Sequence, residues 1–289
     1  MEKYVLEKYI EKGSYGSVYT ARRKANSLEE KEEKEKQKEE ERTELVAIKR
    51  VPNKKKHYPD NELLIHIGLD HPNIIKMYES FYDYKYTYYV MEYADSGDLY
   101  TFLDKQPKKR LNEETALPIF LQISEALLYC HEHMIIHRDL KTENVLLCSS
   151  FGSFREEQRQ TWNVKLTDFG LSTQVNEDNP YAKGLLGTIF CVSPEMIMGK
   201  YSFETDIWSL GVLFYMVLTG DYPFFHEDEN KNTNEDILYS LILDVHYYFP
   251  SCVSSFSQRL ISKILTRSVS QRAPLLQIIA YINLIMNAE

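Results

Sequence analysis

The amino-acid sequence predicts an α+β fold, with a small β-rich part over residues 1–94 and a larger, mainly helical part over 95–289. Three observations carry that reading. The early chain is a series of short runs in which apolar and aromatic residues alternate with polar ones, the period of a half-buried strand. From Leu99 onward apolar residues recur close to helical spacing, as at Leu117, Phe120, Leu121, Leu127, Leu128 and His131. Residues 205–218 are almost wholly apolar after Asp206, the pattern of a helix buried on most sides.

Taken in order, Tyr4 and Leu6, then Val18 and Tyr19, flank a turn containing Gly13 and Gly16 and read as a hairpin. Residues 26–43 form a charged insertion. Glu30 with Lys34, and Glu32 with Lys36, have the four-residue offset that supports an exposed helix. The composition suits a solvated insertion, helical or disordered, with a partner-binding helix as the alternative. LVAIKRV (45–51) reads as a strand with Lys49 in its middle. A helix is expected over 60–69, ended by the Asp70-His71-Pro72-Asn73 turn. IIKMYESFYD (74–83) and YTYYVMEYA (86–94) read as two further strands, and the two parts meet near 92–98. Residues 149–163 are polar and read as a loop insertion between the strands NVLLC and VKLTDFG.

Composition narrows the function classes. Hydrophobic content of 43% and charged content of 27% are those of an ordinary globular protein. A net charge of −9 argues against nucleic acid and anionic membrane as partners. Four widely spaced cysteines, with no Cys-x-x-Cys pair, suit reduced thiols better than a disulfide or zinc framework. The charged start MEKYVLEKYI lacks an apolar signal core, and the run near 210–218 is too short to span a bilayer. The expectation is a cytoplasmic location, with the nucleus as the alternative.

Several residues point to chemistry. A lysine on an apolar strand needs an anion, because desolvating an ammonium alone costs several kcal/mol; Glu62 on the next helix is a candidate partner for Lys49. Residues 137–144, HRDLKTEN, place the carboxylate of Asp139 between Arg138 and Lys141, with the amide of Asn144 close behind. That density of charge is hard to justify structurally. Together and in this order, GSYGSV (13–18), VAIK (46–49), Glu62 ahead of HPN (71–73), HRDLKTEN, DFG (168–170), SPE (193–195) and DIWSLG (206–211) resemble the eukaryotic protein kinase family over residues 4–284.

The resemblance implies the two-lobed kinase fold and transfer of the γ-phosphate of ATP to a serine or threonine hydroxyl of a protein substrate. Gly13 and Gly16 would close a hairpin over the nucleotide, and Lys49 would hold the phosphates with Glu62 fixing its ammonium. Asn144 and Asp168 would bind Mg²⁺, with Mn²⁺ as the alternative. Asp139 would orient the acceptor hydroxyl, and Lys141 would meet charge on the transferred group. Met91, Glu92 and Ala94 fall where the family's hinge reads adenine, and Asp98 where it meets the ribose. Val18, Ala47 and Leu146 would sandwich the ring. Glu195 would pair with Arg272, and Asp206 would anchor the catalytic loop. His137, Phe169, Met77 and His66 fall where the family stacks a hydrophobic spine.

The departures from the family pattern carry their own expectations. Glu11 replaces the first glycine of the nucleotide loop, which implies weaker ATP affinity. His66 stands where an aliphatic residue is usual and reads as a packed neutral histidine. The usual place of an activating phosphate is Gly184, which has no hydroxyl. The segment 168–195 therefore is phosphorylated elsewhere (Ser172, Thr173 or Tyr181) or is ordered without phosphate, with Glu177 or Asp178 meeting Arg138. Lys141 and Gly187-Thr188 resemble serine/threonine enzymes, and Asp98 and Glu143 suggest a mild preference for basic substrates. Calcium/calmodulin-dependent-like, mitotic NimA-like and autophagy-type subfamilies fit alike. A pseudokinase serving as a nucleotide-binding scaffold is the alternative function, and the charged insertion is a candidate site for a regulatory partner.

Overall fold

Alternating apolar residues in the first part of the chain build a five-stranded antiparallel sheet in the order β1-β2-β3-β5-β4: β1 (Tyr4–Lys12), β2 (Ser17–Arg23), β3 (Leu45–Pro52), β4 (Met77–Tyr82) and β5 (Tyr86–Glu92). One sheet face packs Tyr4, Ala21, Val46, Ile48, Tyr88 and Val90 into a core, flanked by Leu6, Phe81 and Tyr86. The computed structural model describes residues 3–12, 16–24, 45–53, 61–149, 162–225 and 234–287. Gly13, the charged insertion 26–43 and most of the loop insertion 149–163 lie outside them. Two compact units emerge, the first drawn from 1–70 and 75–94, the second from 71–74 and 95–289.

Two expectations in the first unit change. Helix α1 (Asn61–His66) stops short of residue 69. Its last residue, His66, is 1% exposed, with Nε2 2.6 Å from the Ile75 carbonyl oxygen. Strand β4 starts at Met77 rather than at residue 74. The cause is long-range: Asn73 donates to Gln122 Oε1 (2.8 Å) and to the Val164 carbonyl (2.9 Å), and its own carbonyl accepts from Leu166 N–H (2.8 Å). Those bonds commit 71–74 to the second unit.

The second unit is mainly helical. Helix α2 (Leu99–Asp104) is capped by Asp98, and α3 (Glu113–Glu132) by Asn112, whose side chain accepts from Thr115 N–H. On α3, Leu117, Phe120 and Leu127 are buried, while Leu121, Leu128 and His131 are half-buried. Three short elements follow, β6 (Ile135–Ile136), β7 (Val145–Ser149) and β8 (Trp162–Leu166), then β9 (Thr173–Gln174). β6 pairs with β9, and β7 with β8. Helix α4 (Pro194–Ile197) precedes α5 (Glu204–Thr219), buried from Thr205 to Tyr215 with Phe214 stacked on Phe120 at 4.1 Å. Helices α6 (Glu235–Asp244), α7 (Ser255–Ile264) and α8 (Leu275–Met286) complete it. All four cysteines are free thiols, and no helix among the described residues is long and apolar enough to cross a membrane.

Candidate active site

Strand register decides which side chains of the first unit share a face. Val18 lies opposite Lys49, Thr20 opposite Ala47, and Ala47 opposite Met91. Directly paired residues of antiparallel strands project to the same side, so Val18, Ala47, Lys49 and Met91 line one face, away from the Val46 and Ile48 core. The Lys49 ammonium meets Glu62 Oε1 at 2.5 Å, and both side chains are about nine-tenths buried (10% and 11% exposed). The charge that β3 buries is thus compensated from α1. Glu92 closes β5, its N–H donating to the Lys76 carbonyl at 2.9 Å, and the half-buried Ala94 lies just beyond. Gly16 has a structural reason of its own: a Cβ there would sit 2.3 Å from the Arg50 carbonyl oxygen. Glu11 lies opposite Val18 and is exposed.

In the second unit the loop 137–144 hangs on one buried carboxylate. Asp206, in the first turn of α5, accepts from His137 N–H (2.8 Å), Arg138 N–H (2.9 Å) and His131 Nε2 (2.9 Å). Complete burial pushes this carboxyl up, but the His131 hydrogen bond, the His131 and His137 rings and the Arg138 amide outweigh burial and hold its pKa below the ordinary value. The two bonded amides straddle the start of a sharp bend, where Arg138 has φ +67°. A non-glycine residue persists in that region only when its surroundings over-determine it.

Asp139 then stands at a convergence of donors. Its Oδ2 receives Lys141 Nζ (3.0 Å) and Asn144 Nδ2 (3.0 Å), and its Oδ1 receives the Thr188 hydroxyl (3.2 Å). Asn144 Nδ2 also bonds the Asp139 carbonyl at 2.7 Å. With its nitrogen spent on Asp139, the Asn144 amide has its oxygen to offer a metal. Burial pulls the Lys141 ammonium down, yet the Asp139 hydrogen bond and charge outweigh it and hold its pKa above the ordinary lysine value. Gly187, at φ +89°, lets the segment before Thr188 approach this loop; a Cβ there would lie 2.5 Å from the Arg138 carbonyl oxygen.

The segment bearing Asp168 is tied to the same loop, since Thr167 N–H donates to the Asn144 carbonyl at 3.0 Å. Asp168 itself is left-handed (φ +62°) and accepts from Gly170 N–H. Phe169 is fully buried, edge-on to His137 with ring centroids 5.1 Å apart. Leu146 is half-buried on β7 and bridges to Asp98. The Asp98 carboxylate caps α2, accepting from Thr101 N–H (2.7 Å) and the Thr101 hydroxyl (2.8 Å). Glu195 and Arg272 form a two-pronged pair at 2.5 and 3.0 Å.

Arg138 corrects an expectation. Neither Glu177 nor Asp178 reaches it. Its Nε donates to the Leu171 carbonyl (2.6 Å), one terminal nitrogen to the Ser172 carbonyl (3.3 Å) and the other to the Tyr201 hydroxyl (3.4 Å). Sequence reasoning passed over Tyr201, because a tyrosine after an SPE helix carries no signal of a partner so far back in the chain. His131 on Asp206 and Gln122 on Asn73 were passed over for the same reason.

A family model described as the protein kinase domain matches residues 4–281. Among curated proteins the chain is similar to Aurora kinase B of Mus musculus, 34% identical over 288 residues that cover 97% of this chain and 73% of that protein. It is also similar to Aurora kinase C of Mus musculus, 35% identical over 93% of this chain and 87% of that protein. A probable cell cycle serine/threonine-protein kinase, the CDC5 homolog of Encephalitozoon cuniculi, is 35% identical over 96% of this chain and 54% of that protein.

Proposed function

This chain belongs to the protein kinase family, and from that premise we propose how its residues carry the γ-phosphoryl group of ATP to a serine or threonine hydroxyl of a protein. The family uses ATP and a divalent metal ion. One observation carries the assignment of roles: Asp139 is held at the meeting point of Lys141, Asn144 and Thr188, in a loop suspended from Asp206.

Asp139 accepts the hydrogen bond of the acceptor hydroxyl and aims its oxygen. Phosphoryl transfer passes through a loose transition state, so orientation counts for more than a raised basicity. Lys141, kept protonated by the carboxylate it touches, meets charge developing on the transferred group. Thr188 fixes the other carboxylate oxygen and shapes the acceptor site from the opposite side. Lys49, held by Glu62, takes the non-transferred phosphates. Val18, Ala47, Met91 and Leu146 supply apolar contact for the base, and the main chain at Glu92 and Ala94 reads its edge. The free oxygen of Asn144 and the carboxylate of Asp168 suit Mg²⁺, with Mn²⁺ as the alternative, an ion that takes one or two hard protein ligands and keeps the rest for phosphate and water. When bound, the metal neutralises charge on the phosphate oxygens.

The alternative of a scaffold without transfer activity finds no support in a loop that keeps every one of these groups and their mutual bonds. Mg²⁺, ATP and a generic protein substrate test the assignment. Asp139→Asn is expected to lose on the order of 10²–10⁴-fold in kcat while retaining nucleotide binding, and an unaltered rate would remove Asp139 from the mechanism.

A further inference from the structure

The segment between Asp168 and Glu195 is tied down by protein groups along its length. β9 pairs with β6, and Val175 N–H reaches the Met134 carbonyl at 2.8 Å. Asn176 and Asn179 bridge each other, closing a turn. The Ser202 hydroxyl bonds the Pro180 carbonyl at 2.7 Å, and Ala182 and Tyr201 exchange both main-chain bonds, at 2.8 and 3.3 Å. The Tyr201 ring is 1% exposed, and its hydroxyl joins two things at once: it donates to the Lys183 carbonyl (3.2 Å) and accepts from Arg138 (3.4 Å). The remaining Arg138 donors point at the Leu171 and Ser172 carbonyls.

The hydroxyls that could carry a phosphate are placed differently. Ser172 is 2% exposed and donates to the His137 carbonyl at 3.2 Å. Thr173 is half-buried in β9. Tyr181 is exposed, with the Lys200 ammonium 3.8 Å from its ring centroid, and forms no contact with Arg138. Position 184 is glycine at φ +94°.

We propose that Tyr201 is a positioning residue of the transfer reaction: its hydroxyl, with the Leu171 and Ser172 carbonyls, holds Arg138 and the segment around 183 in working geometry with no phosphate on that segment. Arg138 in turn sets the bend that presents Asp139. The inference rests on the kinase assignment and specifies how that same site is kept in order.

Phosphatase-treated enzyme, shown by intact mass to carry no phosphate, is assayed beside Tyr201→Phe, with Asp139→Asn as the blank. The phosphate-free wild type is expected to keep its activity. Tyr201→Phe keeps the ring and the main-chain bridge but loses both hydroxyl bonds, and kcat is expected to fall on the order of ten-fold, the scale of a small misplacement of reacting groups, with KM for ATP and the thermal midpoint unchanged. In an Arg138→Gln background the same substitution is expected to do no further harm, because the two act in series. An equal fall in that background would make Tyr201 merely structural and overturn the inference, as would an unchanged kcat. Wild type that is inactive until phosphorylated on Thr173 or Tyr181 overturns it while leaving the kinase assignment standing. Wild type no more active than the blank in both states removes the assignment, and the inference with it.

Discussion

Two ion pairs, one in each unit, begin with the same contact distance and serve different ends. Lys49 with Glu62 and Arg272 with Glu195 both meet at 2.5 Å, and each draws two charges out of water. Arg272 is wholly buried and its planar fork makes a second bond to Glu195, adds the Glu204 carbonyl (2.6 Å) and the Thr266 carbonyl (3.1 Å), and lies over the Trp208 ring at 5.2 Å. Lys49 brings a compact point charge on a flexible stem, with side-chain exposure of 10%. A rigid fork bonded on several sides is a fixture, whereas a point charge at the margin of burial can be re-aimed toward phosphate. The residue type, more than the distance, separates the structural pair from the one proposed to meet phosphate.

The comparison breaks first at Arg272. Arg272→Ala leaves Glu195 buried without its cation and is expected to destabilise the protein by about 3–5 kcal/mol, read by chemical denaturation. A loss below about 1 kcal/mol would place the pair in the class of surface bridges. Lys49→Met should divide the effects the other way. Turnover is expected to fall on the order of 10²–10³-fold, the cost of one lost stabilising cation, while the denaturation midpoint moves far less than in Arg272→Ala. A larger midpoint shift than in Arg272→Ala would show that the Lys49 pair is the structural one.

Asp206 sharpens the contrast, being a carboxylate held by main-chain amides and His131 without a dedicated guanidinium. Its folded pKa lies below the ordinary value of 3.8. Its stabilisation is therefore complete above that value and is lost as pH falls through the lower, folded one. The stability difference between wild type and Asp206→Asn is expected to be constant at neutral pH and to shrink below pH 3.8. A difference that grows with acidification would reverse the sign assigned here.

Some of this architecture was legible early. HRDLKTEN compresses two carboxylates, two cations and an amide into eight consecutive residues, so local order already brings Asp139, Lys141 and Asn144 together. The helix around 205–218 declared its burial through an apolar run that no solvated helix carries. The limits of α1 and β4 were not legible, since propensity continues past His66 and starts before Met77. The bond of the Asn73 side chain to the Val164 carbonyl of β8, and that between the His66 ring and the Ile75 carbonyl, cut both elements short. That the Asp98 carboxylate also caps α2 through two bonds to Thr101 was not legible either.

By itself the sequence determined the order and identity of the chemical groups, which suffices to assign the family and the α+β class and to nominate the residues proposed to handle phosphate. Only the tertiary structure decided which group each of them meets. Tyr201 beside Arg138, Gln122 beside Asn73 and His131 beside Asp206 are joined across long stretches of chain. The physical reason is the short reach of a hydrogen bond: a donor is satisfied by whatever carbonyl or hydroxyl the packing brings within about 3 Å. Main-chain carbonyls, which hold much of Arg138 and Arg272, are the same in every residue and leave no mark in a sequence.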